Sequence, residues 1–461
     1  MSAGRVRALV TGSTGYIGSR LVPRLLGEGH HVRALARDPA RLAAVPWRTR
    51  MEVVRGDLGD VDSLAGAFEG IDVVYYLVHS MGTSRDFAAE EARAARNAAD
   101  AARAAGVRRV VYLGGLHAEG RKLSPHLDSR RAVGEILIRS GIETVVLQAG
   151  VVVGSGSGSF EMIRHLTDRL PVMTTPKWVH NKIQPIAIAD VLHYLVAAAT
   201  APVPMSRTWD IGGPDVLEYG DMMRIYADVA QLGRRYLIVL PFLTPRIASL
   251  WVGTVTPIPS GLARPLIGSL ECDAVMRNVD VDTIIARPPD GLTPYRRAVA
   301  LALHRSARGL VDPTWASAES APAEPLPCDP HWAGEVVRID ERAALSTAKA
   351  EHIFGTAEDA LKSGRWPWYP VAPRRNRHVS PWSIAERQPG RTLRARAERR
   401  APGQAWLEIT VTSRDDGASS YRQRAIFFPR GIPGRLYWWA MRPVHTVVLS
   451  ELLRRIVAAA G

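Results

Sequence analysis

A glycine-rich turn near the amino terminus constrains this chain more than any other feature. It follows the apolar run Arg5–Thr11, typical of a buried strand, and opens Tyr16–Glu28, typical of an amphipathic helix. Gly12 permits a tight turn, Gly15 lets backbone approach a pyrophosphate, and Gly18 lets the helix pack closely against the sheet. The helix then presents its N–H groups and positive dipole end to the phosphates. The spacing and context predict a dinucleotide-binding turn formed by Gly12, Ser13, Thr14, Gly15, Tyr16, Ile17 and Gly18.

The residue after the second strand bears on which dinucleotide is bound. An acidic side chain about 20 residues beyond the glycines would bind the ribose 2′-hydroxyl of NAD. This chain has Arg37, nineteen residues after Gly18, and a guanidinium can bind a 2′-phosphate through two hydrogen bonds. Arg41 can assist, whereas Asp38 argues for NAD. The sequence favours NADP(H) over NAD.

Short apolar runs alternate with longer helical segments from Arg5 to about Leu147. This alternation predicts an α/β fold with a doubly wound parallel Rossmann sheet, covered by helices on both faces. The more irregular stretch from about 150 to 312 is predicted to be the substrate-side region of the same domain, which then spans 1–312. The predicted strands are Arg5–Thr11, His31–Ala36, Met51–Arg55, Asp72–Val78, Val107–Gly114 and Thr144–Gln148.

The composition changes after the first domain. Residues Ser317–Pro330 contain four prolines and few apolar side chains, which predicts a linker at 313–332. Residues 333–461 contain alternating strand patterns separated by hairpin signals, followed by a long helix at roughly 436–459. They predict a smaller α+β domain.

The formal charge of +14 is concentrated near the carboxyl end. Residues 361–461 hold 19 Arg or Lys against 6 Asp or Glu, a net charge of +13. A basic surface attracts nucleic acid or anionic lipid. No nucleic-acid-binding motif accompanies the charge, so a solvated surface is the favoured interpretation and no nucleic-acid partner is expected.

One apolar stretch, Tyr236–Val255, is interrupted by Pro241, Pro245 and Arg246. These interruptions predict a strand and a short helix over an apolar pocket rather than a membrane span, and peripheral membrane contact is the less favoured interpretation. The chain has two cysteines, and its first strand begins too early for an apolar leader. Both features predict a location in the reducing cytoplasm.

Further motifs over residues 5–300 resemble the atypical and extended short-chain dehydrogenase/reductase superfamily, especially its NmrA-like branch. Gly56-Asp57-Leu58 follows the third strand, where the family places an Asp against adenine. Val111–Gly115 resembles the fifth strand, and Gln148–Val151 resembles the turn that meets the nicotinamide. Besides Arg37, the expected cofactor contacts are those that the resemblance implies, namely Asp57, Leu58, Leu77, Val78, His79, Gly114, Ala149, Gly150 and Val151.

The family's catalytic pair is a Tyr followed four residues later by a Lys, with a Ser or Thr near the end of the fifth strand. One alignment places Leu127 and Arg131 at the pair, and a shift by one residue places His126 and Arg130 there. Neither supplies a tyrosine, and the fifth strand ends in glycines. Substitutes are therefore needed: a histidine titrates near neutrality and can protonate a carbonyl oxygen, and an arginine can hold ribose hydroxyls. The candidate catalytic residues are His79, Ser80, His117 and Arg131, with His126 as a further histidine.

The carboxyl-terminal region also shows a resemblance. Trp382, Pro402–Glu408 and Arg430–Trp438 resemble an uncharacterised domain that follows such Rossmann units and is similar to the START/polyketide-cyclase (SRPBCC) helix-grip fold. The resemblance implies a curved sheet around the terminal helix, enclosing an apolar cavity. The aromatic residues expected to face that interior are Trp406, Phe427, Trp438 and Trp439.

Together these features predict an NADP-dependent oxidoreductase without the usual Tyr-Lys pair. It would reduce a carbonyl, enone or quinone on a hydrophobic small molecule. The alternative is a non-catalytic NADP(H)-binding redox sensor or assembly protein with a ligand-binding tail domain. No metal site is predicted, because the sequence has no H-E-x-x-H or C-x-x-C spacing.

Overall fold

The computed structural model describes residues 4–79, 86–117, 123–240, 256–308, 326, 328, 338–363, 382–397, 402–414, 418–429 and 431–460. The chain divides into two compact units, Met1–Gly334 and Glu335–Gly461. The predicted linker at 313–332 lies outside the described residues apart from 326 and 328.

A seven-stranded parallel sheet forms the centre of the first unit, which confirms the predicted doubly wound α/β fold. Six strands match the predicted ones. The seventh, Arg207–Ile211, pairs with the sixth at one edge. The strands are β1 (Arg7–Thr11), β2 (His31–Ala36), β3 (Glu52–Arg55), β4 (Val73–Tyr76), β5 (Arg109–Gly115), β6 (Glu143–Ala149) and β11 (Arg207–Ile211), in the order β11-β6-β5-β4-β1-β2-β3.

Helices cover both faces of this sheet. Successive strand residues point to opposite sides, so apolar strands place side chains on both faces that helices must bury. Val10 of β1 belongs to one buried core and its neighbour Leu9 belongs to the other. The helices of the unit are α1 (Tyr16–Gly27), α2 (Phe87–Ala104), α3 (Pro125–Ile138), α4 (Gly158–Arg169), α5 (Ile188–Ala198), α6 (Tyr219–Val229), α7 (Ser260–Ser269) and α8 (Tyr295–Arg308).

Three short strand pairs build the predicted substrate-side region, and its helices α4, α6, α7 and α8 share a third apolar core. Of the apolar stretch Tyr236–Val255, residues Tyr236–Val239 form a strand and 241–255 lie outside the described residues. The short strands are β7 (Val152–Val153) with β10 (Ile186–Ala187), β8 (Val172–Thr175) with β13 (Tyr236–Val239), and β9 (Lys182–Ile183) with β12 (Leu217–Glu218).

The second unit is an antiparallel five-stranded sheet with two helices, which confirms the predicted separate α+β arrangement. The sequence prediction contained neither its first strand nor its first helix. Its elements are β14 (Arg338–Ser346), α9 (Ala350–Ser363), β15 (Trp382–Gln388), β16 (Thr392–Ala397), β17 (Gly403–Ser413), β18 (Ser419–Pro429) and α10 (Gly431–Ala460), and the sheet order is β14-β18-β17-β16-β15.

The terminal helix α10 begins five residues earlier than predicted. Its first turn includes Pro433, whose missing N–H would have no partner there in any case. Within the described residues, no helix is both long enough and apolar enough to span a membrane.

Candidate functional site

The glycine turn lies at the carboxyl end of β1 and its geometry requires glycine. Gly12 has a φ of +68°, and a Cβ there would lie 2.6 Å from the carbonyl oxygen of Leu77. A Cβ at Gly18 would lie 2.3 Å from the carbonyl oxygen of Gly12. Neither backbone position has space for a side chain, whereas Gly15 is exposed at the start of α1. The turn therefore leaves backbone open at a helix amino terminus, the arrangement that binds phosphates.

Side-chain hydrogen bonds fix this turn to the neighbouring strands. The hydroxyl of Ser13 donates to the carbonyl oxygen of Leu35 at 3.2 Å. The hydroxyl of Thr11 donates to the carbonyl of Tyr75 at 3.0 Å and accepts from the Leu77 N–H at 3.1 Å. These hydrogen bonds connect the turn to the carboxyl ends of β2 and β4.

Arg37 and Asp38 lie side by side after β2, but only one is engaged. An oxygen of Asp38 accepts a hydrogen bond from the Ala40 N–H at 3.0 Å and caps the short 3-10 helix Pro39–Leu42. Arg37 is exposed and makes no hydrogen bond or ion pair to the residues that the structure describes.

The expected adenine side is formed by Asp57 and Leu58 after β3. Asp57 accepts from the Gly59 N–H at 2.9 Å, and the amide of Asn97 on α2 donates to the carbonyl of Leu58 at 2.8 Å. Leu58 is buried. These contacts connect the loop to α2.

A cavity of about 210 Å³ begins at the turn and extends past the carboxyl ends of β5 and β6. Its far wall comes from the substrate-side region and is mostly apolar, with Ile183, Tyr219, Leu266, Leu270 and Ala274. The sequence predicted that region but none of these five residues, because short strands and helix ends far apart in the chain bring them together. The predicted cofactor residues that line the cavity are Tyr16, Ile17, His79, Gly114, Ala149, Gly150 and Val151.

The polar end of the cavity is formed by His79, His126 and Arg130. The two imidazoles meet edge to face, with ring centroids 6.1 Å apart. Burial and the nearby Arg130 lower the pKa of His126 to about 3. Burial, Arg130 and His126 also hold the pKa of His79 well below its usual range. Both histidines are therefore neutral at pH 7, whereas titration near neutrality was the reason for expecting His79 to donate a proton.

The other candidate catalytic residues lie elsewhere. Arg131 is on the outer face of α3, bonded to Asp128 at 2.9 Å and to Glu135, and Arg130 takes the place in the cavity that was expected for Arg131. Adjacent residues of a helix point in directions about 100° apart, so Arg131 points outward when Arg130 lines the cavity. His117 is buried, with Nδ1 3.0 Å from the carbonyl oxygen of Gly115, and is not among the residues that line the cavity. Ser80 lies outside the described residues.

The glycine- and serine-rich connection before α4 packs over the turn. A Cβ at Gly154 would lie 2.3 Å from the Tyr16 hydroxyl oxygen. The N–H of Gly156 donates to the buried Glu161 at 2.7 Å, and Glu161 pairs with buried Arg164 at 3.1 Å. The connection is thus a fitted part of the cavity, with Ser157 and its neighbours in the wall.

An aromatic cleft lies between the sheet and α10 of the second unit. Trp406, Phe427 and Trp438 line it as expected, and the rings of Phe427 and Trp438 stack with centroids 5.6 Å apart. Trp439 was wrongly expected inside: it is 79% exposed, because the helix turns it away from the sheet. The cleft encloses about 40 Å³.

Two parts of the chain match known families. Residues 12–198 match a family described as NAD(P)H-binding. Residues 345–452 match a family described as a protein of unknown function (DUF2867). The second match does not test the helix-grip resemblance, which stays a prediction.

Two characterised relatives are similar to the first unit. The 3 beta-hydroxysteroid dehydrogenase/Delta 5→4-isomerase of Mycobacterium tuberculosis is 30% identical over 237 residues, covering 42% of this chain and 62% of that protein. The ceramide reductase of Caulobacter vibrioides is 30% identical over 201 residues, covering 42% and 61%. The chain spans about three fifths of the length of these relatives.

Solved structures share the Rossmann fold. The triphenylmethane reductase of Citrobacter sp., complexed with NADP(H), is 20% identical, with a TM-score of 0.50 over 64% of this chain and 100% of that chain. MoeE5, in complex with UDP-glucuronic acid and NAD, is 20% identical, with a TM-score of 0.50 over 64% and 97%. Since the two hold different cofactors, they do not distinguish NADP from NAD for this chain.

Proposed function

We propose that residues 12–198, which match an NAD(P)H-binding family, form a Rossmann domain of the short-chain dehydrogenase/reductase type, and that the chain uses it as an NADP(H)-dependent oxidoreductase. The proposed reaction is reduction of a carbonyl, enone or quinone on a hydrophobic small molecule. One observation carries the proposal: a largely apolar cavity begins at Tyr16 and Ile17 of the glycine turn and ends in a polar cluster. Ligands of doubly wound sheets bind at this edge, beyond the carboxyl ends of the strands.

The names of the relatives support a lipid-like substrate. One is a hydroxysteroid dehydrogenase and the other a ceramide reductase, and steroids and ceramides are lipids. In this chain, Leu266 and Leu270 provide matching apolar surface at the wall of the cavity. Apolar walls with a few polar groups are the usual composition of a small-molecule site.

The preference for NADP(H) is supported by the two residues after β2. One carboxylate oxygen of Asp38 is engaged by its own backbone turn, which leaves fewer acceptor positions for a ribose hydroxyl. Arg37 is exposed with its guanidinium available for a 2′-phosphate.

For the second unit we propose a role in holding a small apolar group, since its cleft encloses only about 40 Å³. The support is the aromatic lining of the cleft between the sheet and α10, including the stacked Phe427 and Trp438. Aromatic walls provide a large apolar contact area at a small cost in conformational entropy.

The reductase proposal is tested by following NADPH oxidation by the purified full chain with 1,4-quinones, enones and polycyclic ketones. We expect turnover with a bulky apolar member of the panel. Leu266→Trp fills the cavity and should raise the KM for that substrate ~10-fold, equivalent to about 1.4 kcal/mol. Arg264→Trp, at an exposed position on the same helix α7, should leave the KM unchanged.

A non-catalytic NADP(H)-binding role is the second candidate, because α3 offers no tyrosine at either alignment of the catalytic pair. It predicts tight NADPH binding with no turnover on any member of the panel. That result would overturn the reductase proposal and leave the cofactor site intact.

A further inference from the structure

Two buried polar groups in the cavity have no hydrogen-bond partner. They are Nδ1 of His126 and Nε of Arg130, and neither has a partner among the residues that the structure describes. The two side chains stand one helical turn apart on the same face of α3, and both line the cavity. Buried groups of this kind are usually satisfied, so two in the wall of one cavity are what a bound ligand could complete.

Of these two side chains, Arg130 gives the stronger indication of a ligand, because it carries a charge. No described carboxylate pairs with it, although its neighbour Arg131 is paired with two. The titratable groups that interact with it are His79 after β4, His126 on α3 and Tyr112 on β5. The acid that interacts with Tyr112 is Glu91 on α2, which accepts a hydrogen bond from the hydroxyl of Ser129. A guanidinium in this setting would gain most from an anionic oxygen.

We propose that Arg130 and His126 form an oxyanion-binding pair that holds the reacting oxygen of the substrate. This inference rests on the reductase function proposed above and names the chemistry of its substrate: a carbonyl, enone or quinone oxygen that becomes an anion on reduction. The guanidinium provides the positive charge, and the imidazole provides an N–H donor beside it. Fixed donors aimed at developing charge in a water-poor site are among the strongest sources of catalysis.

The step balances without an ionisable acid. Reduced nicotinamide, when bound, would supply the hydride to the substrate carbon and become oxidised, and the π electron pair of the C=O bond would move to the oxygen. Arg130 and His126 would hold the resulting oxyanion, and water would supply the proton and leave as hydroxide when the product departs. A neutral imidazole suits this role, since it donates a hydrogen bond without giving up its proton.

The test uses 4-nitrophenol, whose phenolate absorbs near 400 nm, added to the full chain saturated with NADP⁺. We expect the apparent pKa of bound 4-nitrophenol to fall by at least one unit, because the site favours the anion. Arg130→Met should abolish the shift, Arg130→Lys should retain part of it, and His126→Phe should reduce it. Arg139→Met changes an arginine at the end of the same helix, 77% exposed, and should leave the shift unchanged.

Three results would overturn the pair: no binding of 4-nitrophenol, binding without a shift, or an equal loss of the shift in Arg139→Met. Circular dichroism and NADP⁺ affinity confirm that each variant is folded. The two proposals fail separately. If the shift is present but no substrate is turned over, the anion site stands without the reductase function. If Arg130→Met reduces a substrate at the wild-type rate, the function stands without the pair.

Discussion

Arg37 and Asp38 show how two adjacent charges acquire different roles from the backbone around them. Asp38 caps a 3-10 helix, and Arg37 extends from the end of β2 without a described partner. We therefore expect Arg37→Ser to weaken NADPH binding ~10–100-fold, as for the loss of a charged hydrogen bond of about 1.5–3 kcal/mol. NADH binding should change little, because NADH has no 2′-phosphate.

Isothermal titration with both cofactors measures this difference. Arg108→Ser is the matched control, since Arg108 is exposed next to the amino end of β5, the opposite edge of the sheet from the cofactor turn. Equal weakening of NADPH and NADH by Arg37→Ser would contradict a contact with the 2′-phosphate.

Residue identities alone predict the turn but not the polar cluster. Gly12 and Gly18 are predictable because backbone geometry excludes side chains there, and this requirement is local in sequence. The positions of His126 and Arg130 in the cavity could not be predicted from sequence, because they depend on which side of helix α3 packs against β5 and β6. The sequence left two alignments open, and packing places both residues of the second one in the cavity wall, but only Leu127 of the first.

At the scale of elements, the parallel strands were predictable because they are apolar on both faces. Strand β14 was not predictable, because neither of its faces is wholly apolar: its residues alternate between exposed and half-buried and include the charged Arg338 and Glu341. It exists because β18 pairs with it along nine residues, and such long-range pairing is invisible in a single segment. The same holds for β11, which completes the parallel sheet at its far edge.

The contact between α1 and the connection before α4 leads to a prediction at this scale. A Cβ on Gly154 would lie 2.3 Å from the Tyr16 hydroxyl and 2.7 Å from Ile188 Cγ2, so the two elements must separate. Gly154→Ala should lower the free energy of unfolding by about 1–3 kcal/mol, as overpacking usually does. It should also weaken NADP⁺ binding, because Tyr16 lines the cavity.

Urea unfolding and NADP⁺ titration measure the two effects. Gly27→Ala in α1 is the control, since a Cβ there meets nothing within 4 Å, and it should be neutral or stabilising by up to ~1 kcal/mol. If Gly154→Ala leaves the free energy of unfolding and the NADP⁺ affinity as unchanged as Gly27→Ala does, the connection before α4 is not tightly packed against Tyr16.

At the scale of the whole molecule, the two compact units differ in their candidate sites and in their charge. The glycine turn and the cavity belong to the first unit, whereas residues 335–461 hold 22 Arg or Lys against 12 Asp or Glu, a net charge of +10. Each unit also has apolar cores of its own, with Leu195 in the first and Leu407 in the second. Separate cores allow separate cooperative unfolding.

Calorimetry of the full chain should therefore show two transitions, only one of which responds to NADP⁺. A ligand at 100 times its Kd stabilises the native state by about 2.7 kcal/mol, which should raise that transition by roughly 5 °C. Leu195→Ala and Leu407→Ala, each removing a fully buried side chain, should each lower a different transition. Movement of both transitions by either substitution would mean that the units unfold as one, because a core defect acts on the whole of the cooperative unit that contains it.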